Sequence, residues 1–143
     1  MNKTGMGTVI RGIHSEGPII SQLGALKDPL DLLSLDRKAF GEMIDSMGPH
    51  VKIMTISPYQ ENNFHDNCAR IKVLLERGIV PALGHDTVCT QEDILACLKV
   101  GSTKEENPYN VRFHITHAFN VTKFHHREAG LANFALVSKF PNE

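Results

Sequence analysis

The sequence predicts an α/β fold on a parallel sheet, four strand–helix units amounting to half of a (β/α)8 barrel or to a small open sheet. Three observations predict it. Short apolar runs recur along the chain, and each is followed by an amphipathic helical stretch. Strands that alternate with helices imply parallel pairing through right-handed crossovers. The chain has 143 residues, whereas a closed eight-stranded barrel takes about 250.

The elements follow in order. Thr8 to His14 (TVIRGIH) reads as a buried strand, stopped by Gly17-Pro18. Leu35 to Met47 reads as a helix, because Phe40, Met43, Ile44 and Met47 recur at i, i+3, i+4 and i+7 and Gly48-Pro49 ends the run. Val51 to Ile56 (VKIMTI) is a second strand, halted at Ser57-Pro58. Phe64 to Arg77 is a second helix whose Cys68, Ile71, Leu74 and Leu75 share a face, with Gly78 at its C-terminal cap. Ile79 to Leu83 (IVPAL) is a third strand, although Pro81 argues against regular ladder pairing within it. Thr90 followed by Gln91-Glu92-Asp93 reads as an N-cap with acids in the first turn, where the helix dipole favours them. That third helix is expected to bury Ile94, Leu95 and Leu98 and to stop at Gly101. Ser102 to Asn110 is a polar loop, Val111 to Thr116 (VRFHIT) a fourth strand, and Leu131 to Ser138 a last helix.

Composition narrows the function classes. Hydrophobic residues make up 41% of the chain and charged residues 22%, which suffices for one sizeable core. The formal net charge is -1 and no basic run exceeds two residues, so the electrostatic footprint of a nucleic-acid partner is missing. No apolar stretch approaches the roughly 18 residues of a membrane span. The start of the chain has no apolar signal region. The 3 cysteines form no C-x-x-C pair, so they read as small buried apolar residues in a reducing, cytoplasmic setting.

Histidine is the outlier, with 8 in the chain. Parallel α/β folds place their sites at the C-terminal ends of the strands. The first strand runs into His14-Ser15-Glu16-Gly17-Pro18, the third into Gly84-His85-Asp86 and the fourth into His117-Ala118-Phe119-Asn120. Strand alternation groups His85 with Ile79, Pro81 and Leu83, His117 with Phe113 and Ile115, and Glu16 with Ile10 and His14. His114 falls on the face opposite His117. Glu16, His85 and His117 at one mouth would make a carboxylate with two imidazoles. That set suits zinc, iron, manganese or cobalt with a position left open for water, as metal-assisted hydrolysis needs. The competing reading of each histidine is a hydrogen-bonded structural residue. His50 and His65 take that reading. In His125-His126-Arg127-Glu128, Arg127 could hold an anion, against the alternative of a solvated turn. The inner face of half a barrel would be lined by Ile10, Ile53, Leu83 and Ile115. Its open edges invite self-association, so a homo-oligomer is expected.

The same residues carry a family likeness. His14-Ser15-Glu16-Gly17-Pro18 resembles the H-x-E-G-P-F motif of N-acetylglucosamine-6-phosphate deacetylases, members of the amidohydrolase superfamily. Leu83-Gly84-His85-Asp86 resembles their L-G-H-S, Thr116-His117-Ala118-Phe119-Asn120 their T-H-L-F-N, and His125 to Leu131 their H-H-R-E-P-G-L. The four occur in family order and reach from about Gly12 to Leu136. The resemblance implies a partial TIM-type barrel, about four βα units of the metal-dependent hydrolase fold, with residues 1–143 a single fragment of the catalytic barrel. It implies that Glu16, His85 and His117 bind one divalent metal, zinc first, with iron, manganese or cobalt as alternatives. It assigns Asn120, the backbone of Val121, and Arg127 to the phosphate of a small phosphorylated amino-sugar substrate. The implied reaction is hydrolysis of the acetamide of N-acetylglucosamine 6-phosphate to acetate and glucosamine 6-phosphate.

The departures are specific. The family's proton-carrying Asp would lie beyond Glu143, as would a further phosphate-contacting His, and its H-x-H-G segment would precede Met1. Leu26 stands where the family has a substrate-contacting His, Val121-Thr122 replaces the usual A-M, and Ser102 to Asn110 reads as an insertion. No catalytic residue is assigned within the chain. Two other readings stay open, a truncated non-catalytic remnant that binds metal or sugar phosphate, and another amidohydrolase.

Overall fold

Apart from the exposed Lys52, β-branched and apolar residues make up Val51–Ile56, and this run forms β2, an inner strand of the sheet. In a computed structural model, which describes residues 10–23, 35–63, 66–128 and 130–137, four strands lie side by side in chain order. They are β1 (Ile13–Glu16), β2, β3 (Val80–Leu83) and β4 (His114–Ile115), and every pairing is parallel. The fold is thus α/β with a four-stranded parallel sheet, as expected. The strands are shorter than their apolar runs. Ile10 to Gly12 lie outside β1, which instead extends to Glu16, and Val111 to Phe113 lie outside β4.

Helix α1 (Arg37–Met47) starts where Asp36 accepts a hydrogen bond from the Ala39 amide and ends at Gly48. Helix α4 (Gln91–Val100) opens with a full capping box between Thr90 and Asp93, the arrangement that satisfies two orphan amides at once. It buries Ile94, Cys97 and Val100, whereas Leu95 is 38% exposed. The second helix, expected from Phe64 (outside the described residues) to Arg77, starts later, at Ala69, and a further short helix precedes it. Helix α2 (Pro58–Asn63) begins at the proline, with Ser57 accepting from the Gln60 amide. After a short 3-10 turn (Asp66–Cys68), α3 (Ala69–Glu76) runs on to the turn at Gly78. Asn67 and Cys68 both adopt positive φ, 43° and 57°, so an unbroken helix is impossible there. Helix α5 (Leu131–Val137) is close to its expected span.

Register decides which face each strand residue occupies. His14 pairs with Ile53, Glu16 with Thr55, and both Thr55 and His114 with Ala82. These residues therefore share one face. Met54, Ile56, Leu83 and Ile115 share the other, where they pack with Phe40, Ile44, Ile71, Leu74 and Ile94 in a single apolar cluster. This corrects the expected inner face. Leu83 and Ile115 lie on the helix side, Ile10 is 63% exposed outside any strand, and only Ile53 belongs where all four were expected. Pro81 is accommodated because β4 begins to pair only at Ala82, one residue later.

Among the described residues, one ion pair lies wholly inside. Glu61 on α2 and Arg70 on α3 are both fully buried, with Nε and Oε1 2.5 Å apart. The same carboxylate accepts from the amides of Arg70 and Ile71. Burial pushes the Glu61 carboxyl up, against the opposing pull of Arg70. Among the described residues, no helix is long and apolar enough to cross a membrane.

Candidate metal centre

Three strand ends converge on one point. β1 delivers Glu16 as its last residue. β3 stops at Leu83, and Gly84 then passes against the chain beyond β4. A Cβ at Gly84 would lie 2.9 Å from the Thr116 carbonyl oxygen and 3.0 Å from the Thr116 Cβ, so only glycine fits. His85 follows with φ 51°, and His117, just past β4, has φ 48°.

Those two torsions carry the geometry. Regular alternation from Leu83 and Ile115 would send His85 and His117 to the helix side. A left-handed residue breaks the alternation, and both imidazoles reach Glu16 instead. The three residues come together, but not through the strand parity expected from the sequence. Non-glycine residues in this region store strain, of the kind that clusters at functional sites.

His85 is buried. Its Nε2 lies 2.7 Å from Glu16 Oε1, and its Nδ1 lies 2.7 Å from the carbonyl oxygen of Gln22. His117 Nε2 bonds the same Oε1. The ligand-capable atoms of the three residues all lie within 4.8 Å of one another. The His85 and His117 rings are tilted, with centroids 5.4 Å apart. The close polar contacts with His85 and then His117 hold the Glu16 carboxyl below the usual carboxylate range.

The donor logic is informative. A backbone carbonyl can only accept, so His85 Nδ1 must carry a proton. In the neutral ring, Nε2 is then a bare lone pair aimed at a carboxylate oxygen. Two acceptors at 2.7 Å repel unless a proton or a cation sits among them. Such fixing of a ring by a carbonyl on its far nitrogen is how histidine ligands to metals are oriented. The residues present fit a divalent cation.

The supporting shell is polar and tight. Asp86 is fully buried and accepts four hydrogen bonds. Ser57 Oγ (2.6 Å) and the Tyr59 amide (2.8 Å) donate to Oδ2, and the amides of Val88 (3.0 Å) and Cys89 (2.8 Å) donate to Oδ1. Its own amide donates to the Val121 carbonyl, 2.9 Å away. The Asn120 amide donates to the His117 carbonyl at 2.6 Å. Segment 117–122 is thereby pinned beside the loop that carries His85. Below the triad, His14 Nε2 meets Thr55 Oγ1 at 2.9 Å, and Thr55 Oγ1 meets Thr116 Oγ1 at 2.8 Å. His114 stacks edge-on to His14, 6.3 Å between centroids, and stays outside the triad.

Glu16, His85 and His117 thus come together. Asn120 and Val121 stand next to them through backbone contacts, and Val121 has φ 50°, an unusual torsion for a β-branched residue. Arg127 is set apart on an exposed turn closed by a bridge between His125 and Glu128. Among the described residues, no hydrogen bond or ion pair joins it to the triad. Leu26 and His65 lie outside the described residues, and His50 is an exposed turn residue. Sequence reasoning missed Gln22, whose role is played by a carbonyl that any residue supplies. It also gave no role to Asp86, although an acid directly after a strand-end Gly-His was a usable signal.

No family model matches the chain, and no solved structure matches it. Curated proteins do. The chain is 29% identical over 134 residues to the N-acetylglucosamine-6-phosphate deacetylase of Bacillus subtilis (strain 168), covering 92% of this chain and 30% of that protein. It is 30% identical over 139 residues to the Homo sapiens protein of the same name, covering 94% of this chain and 30% of the other. With the Danio rerio protein of that name it shares 30% identity over 140 residues, 94% of this chain and 31% of the other. The chain spans about 30% of the length of the curated relatives it matches. It therefore holds a partial deacetylase-like region, alike at low identity over nearly all of its own length.

Proposed function

We propose that this chain carries the metal-holding part of an N-acetylglucosamine-6-phosphate deacetylase, built on part of a (β/α)8 barrel. The observation that supports it most is the wiring of His85, with Nδ1 on the Gln22 carbonyl and Nε2 turned to Glu16 beside His117. Glu16, His85 and His117 would hold one divalent cation, zinc first. Such a cation supplies Lewis acidity toward a carbonyl oxygen and lowers the pKa of water near it.

The chain's own groups do the rest of what it can do. Gln22 fixes the tautomer of His85. Asp86 and the Val121 carbonyl hold the 117–122 segment in place, so that Asn120 and the Val121 backbone stand at the mouth of the site, where a substrate phosphate would bind. Arg127 would reach that anion from its exposed turn. No residue of the chain is assigned the role of carrying a proton to the departing amine. Asp86 is closest in sequence, but its two oxygens are taken by four hydrogen bonds.

The test has two readings. Calorimetric titration with zinc should find one site per chain, lost in His85→Ala. Acetate release from N-acetylglucosamine 6-phosphate by this chain alone should stay near background, since a missing general acid–base group costs roughly 10²–10⁴-fold. Failure to bind zinc, manganese or cobalt would sink the metal-centre reading. Robust acetate release would show that the acid–base group lies within the chain after all.

A further inference from the structure

The second chemical cluster of the molecule lies away from the triad, where α2, the 3-10 turn and α4 meet. Cys68 ends the 3-10 turn and Cys97 lies on the inner side of α4. They are far apart in sequence, yet their sulfurs are 3.8 Å apart, and both side chains are buried. Asn62 sits between them. Its Nδ2 donates to the carbonyls of Pro58 (3.0 Å) and Asp93 (2.9 Å) and to Cys97 Sγ (3.7 Å), and its Oδ1 accepts from Cys68 Sγ (3.4 Å). The thiol of Cys68 reaches this place because Asn67 and Cys68 are both left-handed. Two consecutive non-glycine residues of that kind are costly, and they aim one sulfur at the other.

We propose that Cys68 and Cys97 are a redox pair that closes to an intrachain disulfide under peroxide. A disulfide bond is about 2.05 Å long, so the sulfurs must approach by under 2 Å in total, a distance that side-chain rotation and a small relaxation of the strained turn can supply. In the first step, the Cys68 sulfur takes one oxygen from hydrogen peroxide, giving a sulfenic acid and releasing water. In the second, the Cys97 sulfur attacks the Cys68 sulfur, its proton leaves with the hydroxyl, and a second water is released. Two thiols are oxidised and one peroxide is reduced. A dithiol reductant reverses the change.

The closed bond would tie the α2–α3 junction to α4, the two elements on either side of the stretch that leads through β3 to His85. Cys89 is the internal control. It is equally buried, and no thiol neighbours it among the described residues. The hydrogen bond with Cys68, and then burial, push the Cys97 thiol well above the ordinary thiol value. Cys68, which stands on the short turn and not within a helix, is the thiol placed to meet the oxidant first.

The experiment treats the full native chain with hydrogen peroxide after reductant is removed. Remaining thiols are alkylated, and the digest is read by mass spectrometry. The expected result is one linked peptide joining Cys68 to Cys97, with Cys89 alkylated, and a thermal midpoint raised by several degrees until dithiothreitol is added. In urea the preference should vanish, and all three pairings should appear. In Cys97→Ser, Cys68 should stop at a sulfenic acid that dimedone traps. The proposal is overturned if Cys68 and Cys97 stay alkylatable while native. Over-oxidation without linkage, or linkage mainly to Cys89 or between chains, would overturn it equally.

Discussion

Replacing Asp86 by asparagine isolates what its charge does for the site, because size and shape are kept. The carboxylate accepts four hydrogen bonds, three of them from backbone amides. The amide must turn its NH2 toward one pair of donors. If NH2 takes the Oδ1 place, the amides of Val88 and Cys89 both lose their acceptor. If it takes the Oδ2 place, Ser57 Oγ can turn to accept and only the Tyr59 amide is orphaned. The second arrangement costs less. One buried orphan amide costs about 1–3 kcal/mol, and two surviving bonds fall from charge-assisted to neutral at roughly 1 kcal/mol each. An amide is easier to bury than a carboxylate, which offsets part of this, so the net loss is about 2–4 kcal/mol. With a urea m-value of about 2 kcal/mol/M, the unfolding midpoint should drop by about 1–2 M. Affinity for the proposed metal should weaken as well, since the segment pinned through the Asp86 amide carries His117. A midpoint shift below about 0.5 M would refute the view that these four bonds act together.

Other expectations concern separate regions. Glu61→Gln should destabilise the chain by about 3–5 kcal/mol, because it leaves Arg70 charged and fully buried. The double variant Glu61→Leu/Arg70→Met should cost clearly less, and denaturation of the two variants side by side decides it. Removal of a residue proposed to hold the metal should act on binding more than on folding, so His117→Ala is expected to abolish any chelator-sensitive part of the thermal midpoint while leaving the chelated protein unchanged. Burial pushes the Cys89 thiol up to about 12. The unfolded chain gives up that proton near the ordinary thiol value, whereas the folded chain keeps it. The group's contribution is therefore whole below that ordinary value and declines as pH rises toward 12, by up to about 1.4 kcal/mol per unit. Cys89→Ala should flatten this part of a stability–pH profile, and an unchanged slope would count against it.

Some of this was legible from residue order and some was not, and particular residues show where the line falls. The N-cap at Thr90 and the glycine that ends α1 are local devices, satisfied within a few residues, and sequence placed them well. The 3-10 break before α3 was hidden, because Cys68 and Leu74 share a helical period whether or not the chain kinks at Asn67. Leu95 was expected in the core for the same reason. Periodicity marks an apolar face but does not say how far a neighbour covers it.

The sequence by itself determined the alternation of strands and helices, and with it a parallel α/β sheet whose strand ends carry Glu16, His85 and His117. Residue type and order suffice for that, because hydrophobic period and turn chemistry act over a few neighbours. The tertiary structure decided which face each strand residue takes. Register between β2 and its partners put Leu83 and Ile115 against the helices, and left-handed torsions at His85 and His117 then brought both rings back to Glu16. It also decided that a carbonyl at Gln22 orients His85, and that Cys68 lies against Cys97. Such contacts join residues far apart in the chain. They depend on where whole elements pack, which no local pattern encodes.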